Sequence, residues 1–182
     1  GGEHGISLPL LRALSRRLGT PLGLVHFDAH VDTWPDTFGQ AYGHGSCFYH
    51  AINEGIVDPT RMIQIGIRSP LGRDVYDWTI GKGVRIISAE EAHEMGPAHV
   101  AEAIIERTGK GKSYLTFDID GIDPSQAPGT GTPEIGGLTT LGMAAAAPVR
   151  AGDDIEDPHQ IVFERGLTVV LEHDDADAAA VL

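Results

Sequence analysis

The stretch that decides the fold of this 182-residue chain is Leu24-Val25-His26-Phe27-Asp28-Ala29-His30-Val31-Asp32. Its first four residues form an apolar run that favours a β-strand, and ligand-type side chains follow at every second position. Side chains two residues apart on a strand point to the same face of the sheet, so Asp28, His30 and Asp32 are expected to project together. A single carboxylate after a strand commonly caps the next helix, but three ligand-type side chains at this spacing indicate a binding site.

A second acidic string follows another β-prone run, and it reads Tyr114-Leu115-Thr116-Phe117-Asp118-Ile119-Asp120. By the same alternation, Asp118 and Asp120 would share one face. So many carboxylates in one place require a counter-charge, because each disfavours the ionisation of the others. Carboxylate oxygens combined with imidazole nitrogens suit Mn²⁺, and they suit Zn²⁺ or iron less well. The two strings together therefore predict a two-metal hydrolytic site.

The rest of the chain alternates helical and extended patterns. Apolar residues at helical spacing predict a helix over residues 7–18, and the segments that favour strands are 22–27, 62–67, 84–87 and 113–118. Ser88 and Glu91 have the spacing of a capping box for a further helix. This alternation predicts an α/β fold with a parallel sheet covered by helices on both faces, in which ligands bind beyond the carboxyl ends of the strands.

Composition narrows the classes of partner. The chain is 41% hydrophobic, and its formal net charge is −13, which argues against nucleic-acid binding and suits a cationic substrate. No apolar run approaches the roughly 18 residues of a membrane span. Cys47 is the single cysteine, so no internal disulfide framework is expected. The sequence shows no signal-peptide pattern, and we expect a cytoplasmic protein.

Four motifs occur in chain order: Gly1-Gly2-Glu3-His4, Asp28-Ala29-His30-Val31-Asp32, Thr116-Phe117-Asp118-Ile119-Asp120-Gly121-Ile122-Asp123-Pro124 and Ala127-Pro128-Gly129-Thr130-Gly131-Thr132-Pro133-Glu134. Together they resemble the ureohydrolase family, which includes arginases, agmatinases and guanidinobutyrases. The resemblance covers about residues 1–141. The unbroken string from Ala127 to Pro133 is more similar to the agmatinase and guanidinobutyrase branch than to arginase. Glu3 stands where the family usually has an aspartate.

The resemblance implies a three-layer arginase-type fold and six ligands for two Mn²⁺ ions. The ligands carried over are His4, Asp28, His30, Asp32, Asp118 and Asp120. One ion would take His4, Asp28, Asp32 and Asp118. The other would take His30, Asp28, Asp118 and Asp120. Asp28 and Asp118 would then bridge the two ions.

His44 and Trp34 receive roles around this site, and Asp32 receives a second one. His44, in a glycine-flanked loop, resembles the family's catalytic histidine, a proton shuttle, although a surface loop histidine is the alternative. Asp32 would orient the attacking hydroxide by a hydrogen bond. Trp34 is a candidate for substrate binding as part of an aromatic wall with Tyr42, and the alternative is that these rings pack only on the loop.

The family pattern breaks after Leu141, so the expected division is a catalytic domain over residues 1–141 and a divergent segment over residues 142–182. The resemblance requires a glutamate that binds the substrate's guanidinium group. Glu164 is the first candidate because it follows the apolar run Ile161-Val162-Phe163, and Glu172 is the second. The chain begins within what reads as a strand-to-helix turn, so an N-terminal portion of the fold is expected to be missing.

The function implied by the resemblance is hydrolysis of a linear guanidino compound, agmatine or 4-guanidinobutyrate, to an amine and urea. The implied partners are a small cationic guanidino substrate and further copies of the chain in a trimer or hexamer, without nucleic acid or membrane. Two alternatives stay open. One is a zinc-dependent deacetylase of related fold, and the other is a metal-binding pseudoenzyme or partner subunit inactivated by the altered C-terminal segment.

Overall fold

The computed structural model describes residues 4–19, 21–146, 161–162 and 167–171, the last two segments as backbone only. Within these residues, six strands form one sheet in the order β3-β2-β1-β4-β6-β5. They are β1 (Leu22–Phe27), β2 (Val57–Ile67), β3 (Arg85–Ser88), β4 (Ser113–Phe117), β5 (Ile161–Val162) and β6 (Leu167–Leu171). All neighbours pair in parallel except β5 and β6, which pair antiparallel. The predicted α/β fold with a parallel sheet is confirmed.

Strand β1 lies inside the sheet, and all six of its residues are buried. Its last residue, Phe27, pairs with Ile65 of β2 on one side and with Phe117 of β4 on the other. Because these strands run in the same direction, Asp28 and Asp118 leave the sheet next to each other at its carboxyl edge. The strand register therefore brings the two acidic strings together.

Helices cover both faces of the sheet, which gives three layers. They are α1 (Ser7–Leu18), α2 (Cys47–Asn53), α3 (Arg73–Gly81), α4 (Ala89–Thr108) and α5 (Thr140–Ala146). On one face, Leu11 of α1 and Phe48 of α2 share a buried cluster with Leu24 of β1. On the other face, Ile104 of α4 packs in a cluster with Phe27. Alternate residues of β1 thus supply two separate hydrophobic cores.

The start and the interior of helix α4 follow from local sequence. The hydroxyl of Ser88 accepts a hydrogen bond from the backbone nitrogen of Glu91 at 3.0 Å, as the capping-box spacing predicts. Gly96 interrupts the helix with a φ of 73°, and Pro97 begins the second part. Among the described helices, none combines the length and the apolar content that a bilayer crossing requires.

Candidate metal centre

The first acidic string is a bend that follows β1, and it does not continue the strand. The carboxylate of Asp28 accepts a hydrogen bond from the backbone nitrogen of His30 at 2.6 Å, which turns the chain. Asp32 then adopts a φ of 48°, in the left-handed region. The predicted convergence of Asp28, His30 and Asp32 is present, but strand alternation was the wrong reason for it. The side chains converge because the Asp28 carboxylate closes a turn, and the pleated strand ends before it.

The second string is also a turn. Asp118 leads into a 3₁₀ turn over Ile119–Gly121, and its Oδ1 accepts from the backbone nitrogen of Asp120 at 3.0 Å. Asp120 Oδ1 accepts from the backbone nitrogen of Ala29 at 3.0 Å, which ties the two strings to each other. A Cβ at Gly121 would lie 3.1 Å from the backbone nitrogen of Asp28, so a larger residue would push the two turns apart by a few tenths of an ångström.

Four of the six predicted ligands form a first cluster: His4, Asp28, Asp32 and Asp118. His4 Nδ1 lies 3.1 Å from Asp28 Oδ2, 3.0 Å from Asp32 Oδ2 and 3.4 Å from Asp118 Oδ2. His4 reaches this position from a short 3₁₀ turn ahead of α1, and its Nε2 contacts the hydroxyl of Thr116 at 3.0 Å. Residues from three separate parts of the chain thus face one buried point.

A second cluster consists of Asp28, His30 and Asp120. His30 Nδ1 lies 3.2 Å from Asp28 Oδ1 and 3.1 Å from Asp120 Oδ2. Asp28 therefore belongs to both clusters, since its Oδ2 faces the first and its Oδ1 faces the second. Asp118 turns Oδ2 towards the first cluster and uses Oδ1 on a backbone nitrogen, so its role as a second bridge stays a prediction.

The electrostatics of the two clusters call for added positive charge. Burial raises the pKa of Asp32 above its ordinary value, and the charge of Asp28 raises it further. Burial likewise raises the pKa of Asp120 to about 7. Burial also acts to raise the pKa of Asp28, but the adjacent imidazoles hold it well below its ordinary range. Burial lowers the pKa of His30, but its contacts with Asp120 and Asp28 raise it to about 11.

The direction of the Asp32 and Asp120 shifts reflects buried carboxylates crowded together without enough counter-charge. Among the described residues, two groups have donor atoms that lie within 4.8 Å of one another: His4, His26, Asp28 and Asp32, and Asp28, His30 and Asp120. Divalent cations would neutralise the same carboxylates and leave the imidazoles neutral, as metal binding requires. Hard carboxylate oxygens with one or two imidazoles are the donor set that Mn²⁺ accepts well. The residues present therefore fit two divalent ions that share Asp28.

Above the clusters a cavity of about 690 Å³ opens to solvent. Its walls include Trp34, Asp36, His44 and Thr132 beside the residues of both clusters. Tyr42 is absent from these walls, and its ring packs against His50 at 4.7 Å between centroids. Trp34 therefore lies at the cavity, whereas Tyr42 packs against α2 and forms no aromatic wall with it. His44, the proposed catalytic residue, therefore lies beside the two clusters and belongs to neither of them.

Glu164 and Glu172, the first and second candidates for binding the guanidinium group, both lie outside the described residues. Their roles stay predictions.

Sequence reasoning missed a pair of buried residues behind the clusters. His26 Nε2 lies 2.7 Å from Asp28 Oδ2, and the side chain of Gln64 lies 3.0 Å from His26 Nδ1. In the sequence, His26 was counted only as part of the apolar run that precedes Asp28. The available signal was its position two residues before Asp28, which extends the alternation by one step towards the sheet.

Arg68, which follows β2, was also missed. Its guanidinium donates to the backbone carbonyls of Asp120 at 2.6 Å and Glu134 at 2.6 Å, and further bonds reach Gly66, Gly121, Ile122 and Ile135. One side chain therefore holds the turn that carries Asp120 against the loop that carries Thr132. The hydroxyl of Thr132 donates to Asp120 Oδ2 at 2.8 Å, which orients that carboxylate.

Arg68→Met is expected to lower the free energy of unfolding by about 2–3 kcal/mol, because hydrogen bonds from charged donors contribute about 1.5–3 kcal/mol and several carbonyls lose their donor. Urea denaturation measures the change. Arg73→Met is the matched control, since Arg73 is 86% exposed and pairs with Asp77 one helical turn away, which contributes only about 0–1 kcal/mol. Equal losses in the two variants would contradict the role given to Arg68.

Comparison with known proteins shows which family the chain belongs to. The sequence pattern of the arginase family matches residues 1–153. The chain belongs to the arginase family. It is 45% identical to the guanidinobutyrase of Pseudomonas aeruginosa over 142 residues, which are 78% of this chain and 44% of that protein. It is 49% identical to the agmatinase of Photorhabdus laumondii over 140 residues, which are 77% of this chain and 42% of that protein.

Solved structures of this family have the same fold. The proclavaminate amidinohydrolase of Streptomyces clavuligerus superposes with a TM-score of 0.77 at 39% identity, covering 95% of this chain and 52% of that one. A hypothetical agmatinase from Burkholderia thailandensis gives 0.73 at 36% identity, covering 95% and 48%. The resemblance to the ureohydrolases is confirmed, and so is the arginase-type fold. The chain spans less than half the length of the two curated relatives named.

Proposed function

We propose that the protein hydrolyses a linear guanidino compound, agmatine or 4-guanidinobutyrate, to an amine and urea with the help of two Mn²⁺ ions. The observation that carries the proposal is the position of Asp28, whose two carboxylate oxygens face two separate imidazole–carboxylate clusters. A shared carboxylate is what holds two ions close enough to act on one substrate. The relatives support the substrate class, since they are named guanidinobutyrase and agmatinase.

Four residues would hold one ion: His4, Asp28, Asp32 and Asp118. The other would be held by His30, Asp28, Asp118 and Asp120. When bound, the pair of ions supplies the Lewis acidity that makes a water molecule nucleophilic near neutral pH. Thr116 and Thr132 support the set from behind by contacting His4 and Asp120.

The chain's own groups then perform the remaining tasks. Asp32, at the cavity wall, orients the attacking water by accepting a hydrogen bond from it. His44, at the same wall, transfers a proton to the leaving amine. Trp34 bounds the cavity on the side of the substrate's methylene chain. The acidic net charge of −13 favours the approach of a cationic guanidinium.

The experiment that tests the proposal measures urea release and metal content together. The protein is loaded with Mn²⁺ and given agmatine, 4-guanidinobutyrate, 3-guanidinopropionate and arginine in turn, with Asp28→Asn as the inactive control. We expect two Mn²⁺ per chain and urea from agmatine or 4-guanidinobutyrate. A single tightly bound Zn²⁺ would favour the deacetylase alternative. Two Mn²⁺ ions without urea from any of the four would favour the pseudoenzyme.

Glu164→Gln is expected to raise KM for the guanidino substrate by about 10–100-fold with both metals retained. A charged hydrogen bond contributes about 1.5–3 kcal/mol, and each 1.4 kcal/mol is about tenfold in binding. A planar guanidinium needs a two-oxygen acceptor, whereas the described acids of the site are engaged with imidazoles, with the Thr132 hydroxyl or with backbone nitrogens. Glu172→Gln is the matched control. A larger KM effect in Glu172→Gln would transfer the role to Glu172.

The cytoplasmic setting and the homo-oligomer, trimeric or hexameric, belong to the same proposal. The first rests on the sequence and the second on the family resemblance.

A further inference from the structure

Behind the clusters, three buried side chains form a continuous line of polar contacts: Gln64, His26 and Asp28. Gln64 and His26 are register partners on β2 and β1, and both are fully buried. Gln64 Nε2 lies 3.0 Å from His26 Nδ1 and 2.6 Å from the carbonyl oxygen of Val31. His26 Nε2 lies 2.7 Å from Asp28 Oδ2.

The chemistry of these groups fixes the direction of every hydrogen bond. The carbonyl oxygen of Val31 can only accept, so the Gln64 amide must turn its NH₂ towards it. The second N–H of the same nitrogen then points at His26 Nδ1, which has to accept because a protonated Nδ1 would oppose it. The proton of the neutral imidazole therefore resides on Nε2, from which it is donated to Asp28 Oδ2.

A second observation indicates that the N–H groups of Gln64, and not its side-chain oxygen, are the groups that matter at this position. Its Oε1 is buried and has no hydrogen-bond partner among the described residues. Such an unpaired buried oxygen costs about 1–3 kcal/mol, and an apolar residue of similar volume would avoid that cost. The cost is explained if the two N–H groups are needed where they are.

The same geometry decides between two roles for His26. Its donor atom lies within 4.8 Å of those of His4, Asp28 and Asp32, so distance alone allows it to be a metal ligand. A ligand nitrogen must present a lone pair, but Nε2 carries the proton and the lone pair at Nδ1 faces Gln64. The ring cannot turn over easily, because it packs edge-on against Phe48 at 4.5 Å between centroids.

We propose that Gln64 locks His26 as the Nε2–H tautomer, and that His26 is a positioning residue that orients Asp28 and is excluded from the metal ligands. The orientation matters because Oδ2, held by His26, is the oxygen that faces the first cluster, while Oδ1 faces the second. The naming of Asp28 as a shared ligand rests on the proposed function, whereas the tautomer rests on the contacts alone.

The first arm of the test is the tautomer itself. Long-range ¹H–¹⁵N correlation spectra of the metal-free protein with ¹⁵N-labelled histidine report which ring nitrogen carries the proton, and His26→Gln identifies the His26 signals by their loss. We expect a protonated Nε2 and an unprotonated Nδ1 in the wild-type protein. Gln64→Glu should add a proton at Nδ1, because the new carboxylate accepts from Nδ1–H while Asp28 still accepts from Nε2–H. A wild-type signal with the proton on Nδ1, or on both nitrogens, overturns the proposal.

The second arm is Mn²⁺ binding, measured by calorimetry and metal analysis. His26→Met and Gln64→Glu should weaken Mn²⁺ affinity by about 10–100-fold, the usual effect of losing a group that orients a ligand, with two ions still bound at saturation. His26→Gln keeps an N–H donor near the same place and should recover most of the affinity. Loss of one ion outright in both His26 variants would make His26 a ligand and overturn the proposal. If the wild-type protein releases no urea but has the proton of His26 on Nε2 as expected, the result counts against the proposed function alone.

Discussion

Asp28→Ala is expected to release both metal ions and to reduce urea formation by well over ~100-fold. This figure is a lower bound, since losing a residue that merely orients a metal ligand already lowers metal affinity or activity by about 10–100-fold. Asp28 contacts His4 through Oδ2 and His30 through Oδ1. Its removal therefore disturbs both clusters at once. Metal analysis after gel filtration, with urea release on the same samples, measures the effect.

Three further variants sharpen this prediction. Asp120 contacts the imidazole of the second cluster only, so Asp120→Ala should leave one ion bound. Asp36→Asn is the control for a general change of charge, because Asp36 lies on the cavity wall outside both clusters. Equal metal retention in Asp28→Ala and Asp120→Ala would contradict the shared role of Asp28. Asp118→Ala decides separately whether Asp118 is a second bridge.

The sequence was sufficient to predict that the two acidic strings meet. Two β-prone runs that each end in carboxylates imply adjacent parallel strands, and the register of Phe27 with Phe117 has that arrangement. The helix over residues 7–18 and the strand over residues 22–27 have the predicted limits, because their apolar periodicity is strong. Strand β2 begins at Val57, earlier than residue 62, since its first part is half exposed and lacks a buried-strand pattern.

The sequence was insufficient in two places: where a local side-chain hydrogen bond turns the chain, and where residues far apart in sequence come into contact. Asp28 and Asp118 were expected to act as strand residues, but each carboxylate captures a backbone nitrogen two residues later and turns the chain. Arg68 and Gln64 act through partners that only the packed sheet brings near. Nothing in the local sequence distinguishes Gln64 from any other polar residue in a strand. The division at Leu141 stays a prediction.

His44→Ala is expected to lower kcat by about 10²–10⁴-fold, the usual contribution of a positioned acid–base group, while two Mn²⁺ ions remain bound. The reason is its place: His44 lies on the wall of the cavity, and its ring belongs to neither group of donor atoms within 4.8 Å. It begins a short turn over His44–Ser46 that Ser46 fixes through hydrogen bonds to the carbonyls of Ala41 and Gly43, each at 2.9 Å. A histidine held in this way can reach substrate without holding metal.

The measurement compares kcat per bound metal pair in the wild-type protein, His44→Ala and a control, His99→Ala. His99 is exposed on α4, where its ring contacts the carbonyl of Met95, and its loss should leave both kcat and metal content unchanged. A proton shuttle should also respond to replacement by small diffusible bases, so added imidazole should restore part of the rate in His44→Ala. If His44→Ala instead loses metal and keeps its turnover per remaining metal pair, His44 supports the metal ions and transfers no proton.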